Sequence, residues 1–182
     1  MALLEKQLFV KRSTIPGAGK GLFTKKLIPK GTRIIEYKGR KTAWKDVNQA
    51  EGNNGYIYYI NRNHVIDAMN RKSSLARYAN DARGLTKIKG INNNCEYISE
   101  GQRAFIESIR DIPAGGEILV PYGAEYWQVI RTNIRIDQKE AAEKKATKKL
   151  SKKSVKKATT SKKKSSAKKT SATKKLKKAK KR

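Results

Sequence analysis

The last 39 residues of the chain, 144–182, contain 19 lysines and one arginine but no aspartate or glutamate. All aromatic residues lie at or before Trp127. A segment with almost no large apolar side chains cannot offset the entropy that is lost on ordering, so we expect a disordered basic tail over 144–182. The packed core must therefore form from the residues before the tail. These carry 24 basic and 15 acidic side chains and are numerous enough for one domain.

Before residue 124, short apolar runs alternate with turn residues. Strands are predicted at 8–10, 21–27, 32–39, 56–61, 64–69, 103–109 and 117–122. A short helix is predicted over 73–81, with Ser73 or Ser74 as its cap, and a helical turn within 44–55. Apolar residues then recur at helical spacing, which predicts a helix or linker over 128–143. The pattern is typical of a mostly β domain with several small sheets.

The stretch PGAGKGLF, residues 16–23, places three glycines beside a lysine. A phosphate-binding P-loop needs four residues between its first glycine and Gly-Lys, and this spacing is absent. A dinucleotide-binding fingerprint would need glycine at position 22, which is Leu22. These residues alone leave two alternatives, a glycine turn between strands or a ligand loop of another kind.

Five stretches, taken in order, resemble the SET-domain family of protein lysine methyltransferases. They are GAGKGLF (17–23), IIEYKG (34–39), VIDA (65–68), LARYANDARG (75–84) with NNNC (92–95), and IRDIPAGGEILVPYGAEYW (109–127). The resemblance implies a mostly β SET (β-clip) fold with several small sheets, short helices and a knot-like chain crossing. It is greatest to minimal members without zinc-binding flanks, which agrees with a chain whose one cysteine is Cys95.

With this resemblance we divide the chain into four parts. They are a lead over 1–5, the SET methyltransferase domain over 6–127, the helix or linker over 128–143, and the lysine-rich tail over 144–182.

The resemblance also implies S-adenosylmethionine as cofactor. The matching positions are Lys20, Gly21, Leu22, Tyr56, Asn80, Asp81 and Trp127. Glycine in the loop would let the backbone approach the ligand closely. Asp81 replaces the usual histidine and could instead pair with Arg77 or Arg83. Trp127 could cover the adenine or anchor the final helix.

Tyr122 in VPYG and Tyr37 in EYKG match the family's catalytic tyrosines, and Tyr97 and Tyr58 are assigned to the substrate channel. A lysine amine, with a pKa of about 10.4 in water, must lose a proton before it can accept a methyl group. A narrow aromatic channel disfavours the ammonium form and lowers that pKa. Val120 stands where many members carry an aromatic residue, so the number of methyl groups added is not indicated. No metal site is predicted.

The tail resembles the lysine- and alanine-rich tails of linker histones and bacterial histone-like proteins. Its charge predicts nucleic-acid binding without base specificity, driven by counterion release. Two hypotheses follow: a lysine methyltransferase acting on a histone or histone-like basic protein, or a catalytically inactive SET-like module in a nucleic-acid-compacting protein. The opening MALLEKQLFVKR suggests neither a signal peptide nor a membrane span. We expect an intracellular protein associated with chromatin or a nucleoid, and its oligomeric state is not indicated.

Overall fold

A computed structural model of the chain describes residues 3–47, 54–85 and 87–145. The described residues divide into two units, of which the first ends at Val129 and the second begins at Ile130. Residues 124–145 are helical, the first six of them in the first unit and the rest in the second. From residue 146 onward, the predicted basic tail lies outside the described residues. No helix in the described ranges has the length and apolar character needed to cross a bilayer.

In the described part of the first unit, eight short strands form three antiparallel sheets. The strands are β1 (Leu8–Arg12), β2 (Lys20–Thr24), β3 (Arg33–Glu36), β4 (Arg40–Thr42), β5 (Ile57–Asn61), β6 (His64–Asp67), β7 (Cys95–Glu100) and β8 (Arg103–Ser108). The sheet orders are β1-β2, β3-β8-β7 and β4-β6-β5. Single 3₁₀ turns lie at Glu5–Gln7, Trp44–Asp46 and Leu75–Tyr78. The mostly β fold of several small sheets is therefore confirmed.

The core lies between the sheets and is built from aliphatic side chains of the strand centres. Leu22 on β2, Ile34 on β3, Val65 on β6 and Ile106 on β8 are fully buried. Burial of one such side chain stabilises the fold by about 1.5–3 kcal/mol. Short strands can pack in this way because alternate residues face the core.

The segment 117–120 is not a strand of any of the three sheets, although Ile118 N–H donates to the Leu22 carbonyl on β2 at 2.8 Å. Val120 N–H donates to the Asn80 carbonyl at 2.8 Å, and Cys95 N–H donates to the Leu119 carbonyl at 3.0 Å. The Asn94 side chain also bonds both to the Glu117 carbonyl and to the Leu119 N–H. These bonds bring Asn80 and residues 94–95 together around segment 117–120.

Several elements differ from the sequence prediction. The predicted strand 117–122 forms only isolated bridges, because its backbone bonds mostly to loops and side chains and Pro121 has no N–H. Ser74 precedes the 3₁₀ turn Leu75–Tyr78, but its side chain makes no capping bond. The two strands that the sequence missed, β4 and β7, carry many polar residues. The final helix begins at 124, four residues before the predicted start.

Candidate active site

Three tyrosines pack together in the first unit. Tyr37 follows β3, Tyr58 lies on β5 and Tyr97 lies on β7, so both three-stranded sheets contribute to the group. The ring centroids of Tyr58 and Tyr97 are 4.7 Å apart, and the Tyr37 ring lies 6.0 Å and 5.8 Å from them. Rings at these separations attract one another and present a largely apolar surface.

A second aromatic group comes from the start of the final helix. The Tyr122 ring lies edge-on to Tyr126 at 4.8 Å and stacks on Trp127 at 6.1 Å. The two groups share a cavity of about 80 Å³. Its lining includes Tyr37, Tyr58, Tyr97, Tyr122, Tyr126 and Arg77. The structure thus brings together all four tyrosines that the sequence assigned to catalysis or to the substrate channel.

The hydroxyl groups of the two predicted catalytic tyrosines are held by backbone carbonyls. Tyr37 donates to the Tyr56 carbonyl at 3.0 Å, and Tyr122 donates to the Ala79 carbonyl at 2.8 Å. Burial raises the pKa of both phenols above the ordinary value of 10.0, and it raises the pKa of Tyr97 strongly as well. The phenols are therefore uncharged at neutral pH, and each oxygen keeps lone pairs that can accept a hydrogen bond.

Asp81 is 4% exposed, and its carboxylate accepts four hydrogen bonds. Oδ2 accepts from the Tyr122 N–H at 2.9 Å and from the Trp127 indole N–H at 2.8 Å. Oδ1 accepts from the Arg83 N–H and the Asn93 side chain. The sequence suggested Arg77 or Arg83 as an ion-pair partner of Asp81. Arg83 contacts Asp81 only through its backbone N–H, and within the described ranges Asp81 forms no ion pair with Arg77. Trp127 is 7% exposed and anchors the start of the helix through this bond.

A second buried carboxylate, Glu117, connects the glycine loop to the asparagine segment. It accepts hydrogen bonds from Ser13 Oγ at 2.6 Å and from the Thr14 N–H at 2.7 Å. The Asn80 side chain donates to Glu117 at 3.2 Å and to the Lys20 carbonyl at 2.9 Å. The predicted cofactor positions 20, 21 and 80 therefore lie side by side.

A comparison with protein families identifies the chain. The family model described as "SET domain" matches residues 19–123, more than half of the chain. The chain belongs to the SET-domain family. N-lysine methyltransferase KMT5A of Xenopus tropicalis is 28% identical over 127 residues, covering 63% of this chain and 36% of that relative. The chain thus spans about a third of the length of this curated relative.

Two solved structures are similar to this SET domain. A humanized mutant of the Chaetomium thermophilum Polycomb Repressive Complex 2, bound to the inhibitor GSK126, is 24% identical with a TM-score of 0.53. The match covers 67% of this chain and 15% of the chain in that structure. At 24% identity it shows a shared fold and nothing more. The methyltransferase domain of human PR domain-containing protein 2 is also 24% identical, with a TM-score of 0.49, over 65% of this chain and 78% of that one.

Gly21 of the SET domain has a structural reason to be glycine. A Cβ at this position would collide with the Glu117 carboxylate and meet the Phe23 ring at 3.0 Å. The sequence explained this glycine by close approach of a ligand, whereas the structure shows that a buried side chain already occupies the space. Gly17 and Gly19, with φ of 79° and 71°, have open space around them and form the accessible part of the loop.

We expect Gly21→Ala to lower the free energy of unfolding by about 2 kcal/mol, because Glu117 must give up some of its bonds to make room. Urea unfolding followed by circular dichroism measures the change. Unchanged stability together with weakened ligand binding would contradict this explanation and favour the ligand-approach explanation.

The other predicted cofactor positions differ in accessibility. Lys20 is exposed at the start of β2, whereas Leu22 is fully buried in the core. Tyr56 is half-buried beneath the guanidinium of Arg77, which lies 4.0 Å from its ring centroid. Leu22 can therefore contribute only backbone atoms to a ligand.

Arg77 and Tyr126 line the cavity, but the sequence analysis did not assign them to the site. A signal for Arg77 was present, since it opens the RYANDA stretch three residues before Asn80. Tyr126 carried no comparable signal, because only the start of the helix at 124 turns it towards Tyr122.

Alkaline pH should unfold the SET domain. Burial raises the pKa of Tyr37, Tyr97 and Tyr122, and it raises that of Cys95 to about 12. A group whose pKa is higher in the folded than in the unfolded state stabilises the fold fully at pH values below its unfolded-state pKa. This contribution is lost as the pH rises towards its folded-state pKa. We expect the melting temperature to fall from about pH 9 upward.

Phenolate absorbance provides the matching measurement. The buried phenols of Tyr37, Tyr97 and Tyr122 should ionise only as circular dichroism reports unfolding. Ionisation of these three phenols in a still-folded protein would refute the prediction.

Proposed function

We propose that this chain is a protein-lysine N-methyltransferase that uses S-adenosylmethionine. The observation that carries the proposal is the tyrosine-lined cavity, into which Tyr37 and Tyr122 converge within a SET domain. The similarity to the Xenopus N-lysine methyltransferase supports the same activity.

The cofactor would be held where the glycine loop and the asparagine segment adjoin. The open backbone at Gly17 and Gly19 leaves space for a ligand, and the Asn80–Lys20 bond brings the two segments together. When bound, S-adenosylmethionine would supply a methyl group on a positively charged sulfur, so that the N–C bond forms as the S–C bond breaks. The Asp81 carboxylate and the Trp127 indole already bond to each other, so their role would be to support this site rather than to bind the cofactor through those atoms.

The acceptor lysine would enter the cavity between the tyrosine rings. Their apolar faces strip water from the methylene chain, and the uncharged phenol oxygens of Tyr37 and Tyr122 accept hydrogen bonds from the amine. Because both hydroxyl protons point to backbone carbonyls, these oxygens are fixed in orientation before the substrate arrives.

We propose a histone or histone-like basic protein as the substrate, and nucleic acid as a second partner through the tail. The 20 basic side chains of residues 144–182 would retain the enzyme on a polyanion and raise the local concentration of proteins bound there. This assigns the protein to chromatin or a nucleoid.

The activity is tested by incubating the chain with labelled cofactor and a panel of histones, bacterial histone-like proteins and the chain alone. Methyl-lysine detected by mass spectrometry is the expected result. A folded sample that binds the cofactor but transfers no methyl group would favour the alternative, an inactive SET-like binding module.

The tail is tested separately by removing residues 144–182. The shortened chain should lose retention on DNA and still methylate a short peptide. Retention of the full chain should fall steeply with salt, because binding releases counterions. Loss of peptide methylation on removing the tail would refute the proposed domain limits.

A further inference from the structure

Arg77 is a cation that lines the cavity. It lies in the 3₁₀ turn Leu75–Tyr78, and its guanidinium lies 4.0 Å from the Tyr56 ring centroid and 5.4 Å from that of Tyr78. Its Nε atom is buried and has no hydrogen-bond partner. Within residues 3–47, 54–85 and 87–145, no ion pair includes this side chain.

Such an arrangement is costly. A partly desolvated guanidinium without a carboxylate loses hydration that ring stacking restores only in part. Buried polar groups in native proteins are nearly always satisfied, so an exception calls for an explanation in terms of function. The position of Arg77 provides one, because among the residues that line the tyrosine cavity it is the one that carries a charge.

Arg77 acts electrostatically on Tyr37, another residue of the cavity lining. Its positive charge lowers the pKa of Tyr37, opposing the larger effect of burial, which raises it. A positive charge that favours the ionised phenol must equally disfavour an ammonium group placed beside that phenol.

We propose that Arg77 keeps the acceptor lysine in its uncharged, reactive form by repelling the ammonium form within the tyrosine cavity. This inference rests on the proposed methyltransferase function and deepens it. The proton that the ammonium loses passes to solvent before transfer, and the freed lone pair then forms the new N–C bond. Arg77 itself neither gains nor loses a proton, because a guanidinium stays charged in proteins.

Two carboxylates near the cavity act in the opposite direction. Asp67 on β6 raises the pKa of Tyr37, and Asp81 raises those of Tyr97, Tyr122 and Tyr126. Tyr58, the remaining tyrosine of the cavity lining, contributes an aromatic ring. Removing Arg77 takes away one positive charge and leaves both carboxylates in place, so it should raise the pKa of the bound amine.

The test compares pH–rate profiles of the full-length wild type, Arg77→Met and Arg77→Lys. The probe is a single-lysine peptide from whichever panel protein is methylated, with cofactor and peptide saturating. For Arg77→Met we expect the rising limb of kcat to move upward by about one pH unit. At neutral pH this is a loss of about tenfold, and the profiles should converge at high pH. Arg77→Lys, which keeps the charge, should retain the wild-type profile near neutrality.

A second acceptor separates electrostatics from structure. A matched peptide with S-(2-aminoethyl)cysteine in place of lysine has an amine of lower intrinsic pKa, so Arg77→Met should lose less activity on it. Arg83→Met, which removes an exposed arginine outside the cavity lining, is the control and should match the wild type.

The outcomes are distinguishable. A loss of the same size at every pH and with both acceptors would show a purely structural role and overturn the inference. If Arg77→Met does not fold, Arg77→Gln replaces it and is judged by the same shift. An active wild type with an unshifted variant rejects the role of Arg77 alone. A wild type inactive on the whole panel rejects the proposed function, and this inference with it.

Discussion

Replacing Tyr122 with phenylalanine should reduce kcat for methyl transfer by a factor on the order of one hundred, with little effect on folding. The ring stays packed between Tyr126 and Trp127, but the hydroxyl that bonds to the Ala79 carbonyl and faces the cavity is lost. The reacting amine then has one acceptor fewer to orient its lone pair. Transfer at saturating cofactor and peptide, followed by mass spectrometry, measures the effect.

The matched control is Tyr59→Phe. This tyrosine is 52% exposed, packs edge-on against Trp44 and is not part of the cavity lining, so its hydroxyl should be dispensable. Equal activity of Tyr122→Phe and wild type, with a normal far-UV spectrum, would remove Tyr122 from the catalytic machinery.

Asp81→Asn should lower the free energy of unfolding by about 3 kcal/mol, the largest stability loss that we expect from a change of so few atoms. The amide has one acceptor oxygen, whereas the carboxylate uses two oxygens for four donors. Whichever way the amide turns, an NH₂ group faces N–H donors. Guanidinium unfolding of both proteins gives the difference.

Two further variants make this prediction specific. Trp127→Phe removes the indole donor while keeping an aromatic ring, and should cost about 1 kcal/mol. Asp46→Asn changes an exposed aspartate and should have almost no effect. If Asp46→Asn and Asp81→Asn destabilise equally, the four-bond network does not contribute as described.

The sequence predicts the architecture and the tyrosine cluster well because both depend on local motifs. EYKG and VPYG identify Tyr37 and Tyr122 without knowledge of the fold, and the structure places both at one cavity. Apolar alternation likewise predicts most strands to within a few residues. The assignment of residues to catalysis and cofactor binding remains a prediction.

The sequence does not predict hydrogen bonds between buried side chains that lie far apart along the chain. Asp81 reads as a cofactor contact or an arginine partner, but Trp127, 46 residues later, supplies one of its donors. Glu117 takes its donors from Ser13 and Thr14, more than one hundred residues earlier. Segment 117–122 reads as a strand because its apolar residues suit one, yet it forms only isolated bridges, to Phe23 on β2 and to Asn80.

These long-range hydrogen bonds determine how short a fragment of the chain can be and still fold. The stretch recognised as characteristic of the family, 19–123, omits Ser13, Thr14 and Trp127. A fragment with those limits would keep the buried carboxylates of Asp81 and Glu117 but lose three of the residues that donate hydrogen bonds to them. The smallest autonomous piece should therefore extend past the family signature at both ends.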